Sequence, residues 1–374
     1  MENRPADFQV FVKPVGARCN LHCAYCYYKG TGETHSDERM IMSDAILEKC
    51  IIQQFEASKG NSVLFSWHGG EPLLAGIDFY RKALDLQKKH CPEGVTFFNG
   101  IQTNGILINQ QWCEFFRAGG FNIGISIDGS RQFHDSFRHS YSGSSSFEGV
   151  MNGFALLKKN GILPEILCVV NSINSQHPIQ VYDFFKSIGA SFITFLPLVE
   201  HDETAASGVS DRSVKPADFG AFLSEIFDEW VEKDIGSIKI QIFEEAIRTA
   251  FSQDHTLCIF RENCGRIPVV EHNGNFYSCD HYVNSGYMIG NIGDTTISSM
   301  LDCERQVSFG TLKSSLPEYC KACSVKPMCN GECPKNRFML TPEGEPGLNY
   351  LCEGYREFFN HCRPFVDAVK QMWK

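Results

Sequence analysis

Over roughly the first 200 residues, short apolar runs alternate with longer stretches whose apolar positions recur every three or four residues. The runs are Phe8–Val12, Val63–Trp67, Val95–Ile101, Phe121–Ile127, Ile166–Val170 and Phe192–Leu196. Each precedes a stretch with helical periodicity: Ser43–Ala57, Ile77–Lys89, Gln110–Phe116, Phe147–Lys159, Pro178–Ser187 and Pro216–Glu232. Ser43 and Asn109 stand where N-caps belong. Six strand–helix repeats predict an α/β fold, a parallel sheet with helices outside. Six falls short of the eight of a closed barrel, so a partial, open (β/α)6 barrel over residues 1–235 is expected.

Past about residue 235 the alternation stops. Short strand patterns at Pro268–Glu271 and Phe276–Ser278 flank Asn273-Gly274, a strong hairpin signal. Loops dense in Cys, Gly and Pro follow. A second region, 236–374, so poor in periodic apolar residues needs another source of order, and metal ligation supplies one.

In a parallel sheet of this kind, function sits at the C-terminal ends of the strands. Polar and Gly clusters fall there: Gly16–Cys26, His68-Gly-Gly-Glu-Pro72, Gln102-Thr-Asn-Gly105 and Asp128-Gly129. Gly69 and Gly70 would let backbone approach a ligand where any Cβ obstructs. A bland turn with a surface Glu71 is the other reading of that segment.

Composition narrows the classes. The 374 residues carry 34 basic and 44 acidic side chains, a net charge of −10. That disfavours a nucleic-acid partner, which needs Lys/Arg stripes. The first seven residues contain no apolar signal core, and no apolar run approaches a membrane span. A cytoplasmic protein is expected. There, 17 cysteines point to metals or catalysis rather than to a disulfide scaffold.

Cys19, Cys23 and Cys26 are spaced C-x3-C-x2-C. Three thiolates on one loop can hold three irons of a [4Fe-4S] cluster, whose full complement is four, leaving one iron open to a ligand. A zinc knuckle is the alternative, with His22 and His35 nearby. Eight more cysteines gather C-terminally: Cys258, Cys264, Cys279, Cys320, Cys323, Cys329, Cys333 and Cys352. Eight suit two fully ligated clusters, or two four-cysteine zinc sites. Cys50, Cys91, Cys113, Cys168, Cys303 and Cys362 are scattered and read as small core hydrophobes.

The cysteine loop, with Tyr25 before its last cysteine, resembles the signature of the radical S-adenosylmethionine (SAM) enzymes, and His68–Pro72 resembles their GGEP segment. Cys320-x2-Cys323-x5-Cys329-x3-Cys333 resembles the seven-cysteine SPASM pattern, to whose family the Gly290-Asn291-Ile292 turn also belongs. Within that group the chain is most similar to the anaerobic sulfatase-maturating enzymes, through Val12-Lys-Pro, Gln102–Ile108, Gly124–Gly129, Phe195–Glu200 and Cys279-Asp280. The resemblance implies three [4Fe-4S] clusters and SAM. It places Tyr25 by the adenine, Glu71 and the Gly69–Gly70 backbone on the SAM amino group, and Ser126 and Arg138 on its carboxylate, with Asn104 and Asp128 nearby. It assigns Cys258, Cys264, Cys279 and Cys333 to one auxiliary cluster, and Cys320, Cys323, Cys329 and Cys352 to the other.

The implied reaction oxidises a Cys or Ser of a sulfatase, in a Cys/Ser-x-Pro-x-Arg segment, to Cα-formylglycine. A 5′-deoxyadenosyl radical takes a hydrogen from Cβ, Asp280 accepts the thiol or hydroxyl proton, and an auxiliary cluster takes the second electron. A ferredoxin or flavodoxin is the implied donor. An Asp at a strand end can instead merely accept backbone N–H bonds. Tyr28 is a candidate substrate contact or a packed aromatic. His68 stands where Gln is expected in many sulfatase maturases, and brings a group that titrates near neutral pH. Two other readings share parts of the pattern: a maturase of ribosomal peptides, and a non-catalytic electron carrier or zinc module. The cluster motif begins at residue 19, leaving little room for the N-terminal peptide-binding domain common in peptide maturases.

Overall fold

The computed structural model describes residues 8–30 and 40–373; His35 and the first seven residues lie outside this range. The chain forms two compact units. One comprises Met1–Ser126, Arg138–Pro164 and Gly265–Gly310, the other Ile127–Phe137, Glu165–Cys264 and Thr311–Lys374.

The first unit is built on β1 (Val10–Val12), β2 (Ser62–Trp67), β3 (Thr96–Thr103) and β4 (Phe121–Ser126), parallel and adjacent in chain order. The α/β class read from the sequence is the one observed. Helices Asp44–Ala57, Ile77–His90, Gln110–Gly119 and Phe147–Lys159 follow the pattern to within a few residues. Ser43 and Asn109 cap their helices by accepting from the N–H groups of Ile46 and Trp112. Alternate strand residues such as Val63, Phe65 and Trp67 are buried in one continuous apolar core with Leu47, Ile51, Tyr80 and Phe116.

One polar network sits inside that core. The Trp67 indole N–H donates to Asn99 Oδ1 (2.9 Å), and Asn99 and Gln87 exchange two amide bonds of 2.9 Å. Every member is satisfied, so the network costs little and fixes β2, β3 and the helix between them in register.

The Asn273-Gly274 hairpin forms as expected from β8 (Val269–Val270) and β9 (Asn275–Tyr277). Its placement is not legible in the sequence. β8 pairs parallel with β1, Phe11 opposite Val269, and β10 (Met288–Asn291) adds antiparallel to β9. The Gln53 side chain secures this extension, donating to Ile292 O (2.9 Å) and accepting from Ile297 N (3.0 Å). The hairpin thereby lies in the sheet of the cysteine loop, although some 250 residues separate them in the chain.

The second unit holds β5 (Glu165–Val170), β6 (Phe192–Pro197) and β7 (Lys239–Ile240), all parallel. β7 and the helix Gln241–Arg248 continue the alternation past residue 235, and helix Cys352–Met372 lacks any counterpart in the sequence reading. This last helix crosses Pro216–Lys233 at glycines: a Cβ on Gly354 would lie 2.1 Å from Pro216 O. That contact fixes the first turn of the helix, and Cys352 with it. Of the six scattered cysteines, Cys50, Cys113, Cys168 and Cys362 are buried, while Cys91 and Cys303 are half-buried.

Replacing Asn99 with Leu strands the Trp67 and Gln87 donors in the core. The expected loss is ~1–3 kcal/mol of stability, read by denaturant unfolding. An unchanged midpoint would show that the network contributes nothing.

Candidate active site

The loop after β1 carries Cys19, Cys23 and Cys26, all half-buried. A turn from Cys26 N to Cys23 O (3.2 Å) brings the second and third together, and Leu21 N donates to Cys19 Sγ (3.4 Å). The loop is pinned by an antiparallel bridge from Leu21 to Ser140 and by His22 N donating to His139 O (2.7 Å). Burial pushes the Cys19 thiol up to about 12, with Glu71, Cys23 and Cys26 adding to the rise. As thiolates the three need positive charge among them, and metal binding provides it by displacing their protons. Three thiolates on one loop fit a [4Fe-4S] cluster. Among the described residues, no three His, Cys, Asp or Glu side chains gather about a single ion.

The His68–Pro72 segment follows β2 and is zipped to that loop by backbone. His68 N donates to Val12 O (2.8 Å), Gly70 N to Gly16 O (2.9 Å) and Glu71 N to Arg18 O (2.8 Å). A Cβ on Gly70 would lie 2.1 Å from Arg18 O, and one on Gly69, at φ +107°, 2.5 Å from Gly16 O. The sequence reading gave these glycines to a ligand's approach; the cysteine loop also packs against them, and it is what excludes a Cβ.

Glu71 is buried and its carboxylate is heavily used. Oε1 accepts from Leu73 N (3.0 Å) and Thr103 Oγ1 (2.8 Å), and Oε2 from Asn104 N (2.8 Å). Burial raises its carboxyl to about 7 against the pull of these donors. Of about four acceptor positions, three are filled, leaving one for a ligand amine. Asn104 Nδ2 reaches Asn20 Oδ1 (2.7 Å) and lies 3.6 Å from Cys19 Sγ.

Tyr25 and Arg138 come together in the interior: Arg138 Nη1 donates to the Tyr25 hydroxyl at 3.0 Å. Ser126 Oγ, at the end of β4, accepts from Gln102 Nε2 (3.0 Å). Asp128 belongs to the second unit, where it is buried and its Oδ1 accepts from Val169 N (3.0 Å).

Asp280 occupies the centre of an ionic cluster absent from the sequence reading. Lys13 Nζ lies 2.7 Å from Asp280 Oδ1 and 3.1 Å from Glu271 Oε1, with all three side chains buried. The hydroxyls of Tyr27 and Tyr28 both donate to Asp280 Oδ2, Tyr28 at 2.8 Å. Lys13 also lies 4.2 Å from the Tyr28 ring centroid. Burial works to raise the Asp280 carboxyl, but the Lys13 ammonium and the hydrogen bonds overcome it and hold the group well below the carboxylate range. Burial likewise opposes the charge on Lys13, and Asp280 with Glu271 outweighs it. The signal for Lys13 was its place: a lysine directly after an apolar strand, at the end where function collects.

His68 stacks on Phe11 with ring centroids 3.8 Å apart and planes 11° from parallel. Removal from water lowers its imidazole to about 4; Asp280 pulls the other way and Lys13 adds to the lowering. It is therefore neutral at pH 7, contrary to the expectation of a group titrating there.

The C-terminal cysteines of the second unit fall into two groups by mutual electrostatics. Cys258 is raised by burial and by Cys264, and Cys333 by burial, Glu332 and Cys258. Separately, burial raises Cys320, Cys329 and Cys352, with Cys323 acting on Cys320, and Cys320 and Cys352 acting on Cys329. Cys320, Cys323, Cys329 and Cys352 line one cavity. Cys279 lies in the first unit, two residues beyond β9. None of the 17 cysteines is joined in a disulfide.

Comparison with known proteins accords with this chemistry. Residues 14–184 match the Radical SAM superfamily, and residues 258–324 an iron-sulfur cluster-binding domain, SPASM. The chain is 45% identical over 97% of its length, and 91% of the relative's, to a serine-type anaerobic sulfatase-maturating enzyme of Bacteroides thetaiotaomicron. It is 32% identical over 95% of its length, and 96% of the relative's, to a cysteine-type counterpart from Clostridium perfringens. Its structure is similar to that of native anSMEcpe with bound AdoMet and the Cp18Cys peptide, with a TM-score of 0.88 and 31% identity over 98% and 99% of the two chains.

Three substitutions check this site. Lys13→Met leaves two buried carboxylates facing one another and is expected to cost about 3–5 kcal/mol. Combined with Asp280→Asn it should cost less than the sum of the single changes, read by denaturant titration; strict additivity would dissolve the cluster into independent groups. For His68, the folded value near 4 lies below the unfolded 6.5. The unfolded chain then takes up the proton first as pH falls through 6.5, so stability declines toward 4. His68→Gln should flatten the slope of unfolding free energy against pH in that window by up to one proton, and an unaltered slope would mean that the imidazole stays hydrated.

Proposed function

The chain belongs to the anaerobic sulfatase-maturating enzymes, and from that premise we propose how its own residues serve the oxidation of a Cys or Ser in a sulfatase to Cα-formylglycine. It is an enzyme with a radical SAM domain, a SPASM domain, three [4Fe-4S] clusters and SAM. Residues 1–235 are assigned to the first domain and 236–374 to the second.

When bound, the clusters and SAM supply a hydrogen-abstracting 5′-deoxyadenosyl radical and an acceptor for the second electron. Cys19, Cys23 and Cys26 hold the SAM-binding cluster. Cys258, Cys264, Cys279 and Cys333 hold one auxiliary cluster, and Cys320, Cys323, Cys329 and Cys352 the other. Tyr25, Gly69, Gly70, Glu71, Asn104, Ser126, Asp128 and Arg138 form the SAM subsite. For Glu71 the one free acceptor position is the part that meets the ligand.

The observation that carries the mechanism is the Asp280 carboxylate, buried, ionised and held by Lys13 beside Cys279. The oxidation removes two hydrogens from the substrate, one as an atom from Cβ, the other as a proton and an electron from the hydroxyl or thiol side. Asp280 takes the proton. Loss of the Cβ hydrogen atom makes the attached O–H or S–H more acidic, and a carboxylate held in its ionised form takes that proton as the electron departs. Tyr27 and Tyr28 orient the carboxylate until the substrate's own O–H or S–H donates to it. Neutral His68, flat on Phe11, contacts the substrate as an uncharged donor or acceptor. A thioaldehyde formed from Cys then exchanges with water, releasing sulfide.

The substrate is a sulfatase segment of the form Cys/Ser-x-Pro-x-Arg. A ferredoxin or flavodoxin supplies the reducing electron. No helix among the described residues is long and apolar enough to cross a membrane.

The test is anaerobic turnover of Ser-x-Pro-x-Arg and Cys-x-Pro-x-Arg peptides by reconstituted enzyme, read by mass spectrometry. Loss of the hydroxyl or thiol hydrogens to an aldehyde, with stoichiometric 5′-deoxyadenosine, is expected. Asp280→Asn should lower aldehyde yield by about 10²-fold or more while 5′-deoxyadenosine still forms. Aldehyde formation at the wild-type rate in that variant would remove Asp280 from the mechanism.

A further inference from the structure

The turn Cys329-Asn-Gly-Glu-Cys333 joins a cysteine of one auxiliary set to a cysteine of the other. Its three inner residues are successively left-handed: Asn330 at φ 45°, Gly331 at 69° and Glu332 at 52°. Two of these carry side chains, so the conformation is strained and must be held from outside.

Arg337 and Lys313 hold it. The Arg337 guanidinium donates to all three carbonyls of the turn: Nη2 to Asn330 O (2.9 Å) and Glu332 O (3.0 Å), and Nε to Gly331 O (2.8 Å). Its Nη1 donates to Lys313 O (2.7 Å). Lys313 is 1% exposed. Its ammonium donates to Arg261 O, between Cys258 and Cys264, and reaches Asn330 O at 3.4 Å. Asn330 Nδ2 closes the ring by donating to Phe260 O (2.7 Å). One ammonium thus ties the Cys258–Cys264 loop to the Cys329–Cys333 turn.

Buried cations ordinarily have a carboxylate partner, because an isolated buried charge is costly. Among the described residues neither Lys313 nor Arg337 makes a salt bridge. The Glu332 carboxylate within their reach is turned to Asn336 Nδ2 (3.1 Å) and Asn349 Nδ2 (2.5 Å). Besides that carboxylate, the groups within electrostatic range of the two cations are cysteines. Lys313 lies in electrostatic range of Cys264 and Cys329, Arg337 of Cys320, Cys329 and Cys333. Two cations against one carboxylate leave a net positive charge among the ligands of both sets.

We propose that Lys313 and Arg337 are the shared counter-charge of the two auxiliary clusters, raising the reduction potentials of both together so that they accept the substrate's electron. This rests on the assignment of two clusters to these eight cysteines. Reduction makes a cluster more negative, and a fixed cation in a poorly hydrated site favours that form; net charge and burial are recognised determinants of cluster potential. They are positioning residues, touching neither substrate nor SAM.

The experiment is an anaerobic redox titration of the reconstituted enzyme followed by electron paramagnetic resonance, with iron and sulfide content determined on each sample. Lys313→Met should move both auxiliary midpoints to more negative potential, with the Cys19/Cys23/Cys26 signal unmoved; Lys313→Arg should restore them. Wild type lacking two auxiliary signals would instead sink the cluster assignment. Auxiliary midpoints unmoved in Lys313→Met, or moved equally in Lys313→Arg, would overturn the counter-charge. If Lys313→Met loses iron, the pair Arg337→Lys and Arg337→Gln decides. Charge retention should preserve the midpoints and charge loss should lower them, and an equal effect of both would leave only a structural clamp and refute the proposal.

Discussion

A contact with no room for a side chain organises the first unit. Gly69 and Gly70 lie against the carbonyls of residues 16–18, where a Cβ would stand 2.1–2.5 Å from oxygen. Three backbone hydrogen bonds close the seam. Through it the cysteine loop after β1 and the loop after β2 behave as one piece. Glu71 extends that piece to β3 by binding Thr103 and Asn104, and Asn104 returns to the cysteine loop at Asn20. A molecule bound to both loops, as in the proposed SAM subsite, would then be held from two sides. This is the preorganisation that a reactive radical requires, since a loose site lets it react elsewhere.

Buried charge is used in two different ways. At Lys13 a cation stands between two carboxylates, and with the tyrosine hydrogen bonds it keeps Asp280 ionised. At Lys313 and Arg337 the cations exceed the carboxylates, and cysteine sulfurs of both sets lie within electrostatic range of them. In the proposed mechanism the first arrangement holds an ionised acceptor in place for a proton, and the second supplies counter-charge for an electron. Both are expensive in isolation and tolerable because hydrogen bonds satisfy each group. The division suits an oxidation in which a proton and an electron leave the substrate by separate routes.

Much of the site was legible before any coordinates. Cysteine spacing identifies metal-binding loops because ligands on one loop must be close in sequence, and the strand and helix limits follow from apolar periodicity because each element buries one face. Cys279-Asp280 was found through its resemblance to a family motif. The glycine pair was noticed for the right property, and the structure adds that the cysteine loop is what excludes a Cβ there, since sequence shows that a Cβ is excluded but not by what. His68 was expected to titrate near pH 7, and only its stacking on Phe11 and its removal from water keep it neutral.

The sequence by itself determined most of the elements and, through its cysteine motifs and their resemblance to a family, the class of chemistry, for these depend on local spacing and on residue type. Tertiary structure alone decided that β8 pairs with β1. That one parallel pairing brings Glu271 and Asp280 to Lys13, more than 250 positions away in the chain. It decided equally that Arg337 and Lys313 share the Cys329–Cys333 turn. The physical reason is the same in both cases. A buried charge is stable only where the fold assembles its partners, and nothing in the spacing of single residues along the chain specifies which distant groups those will be.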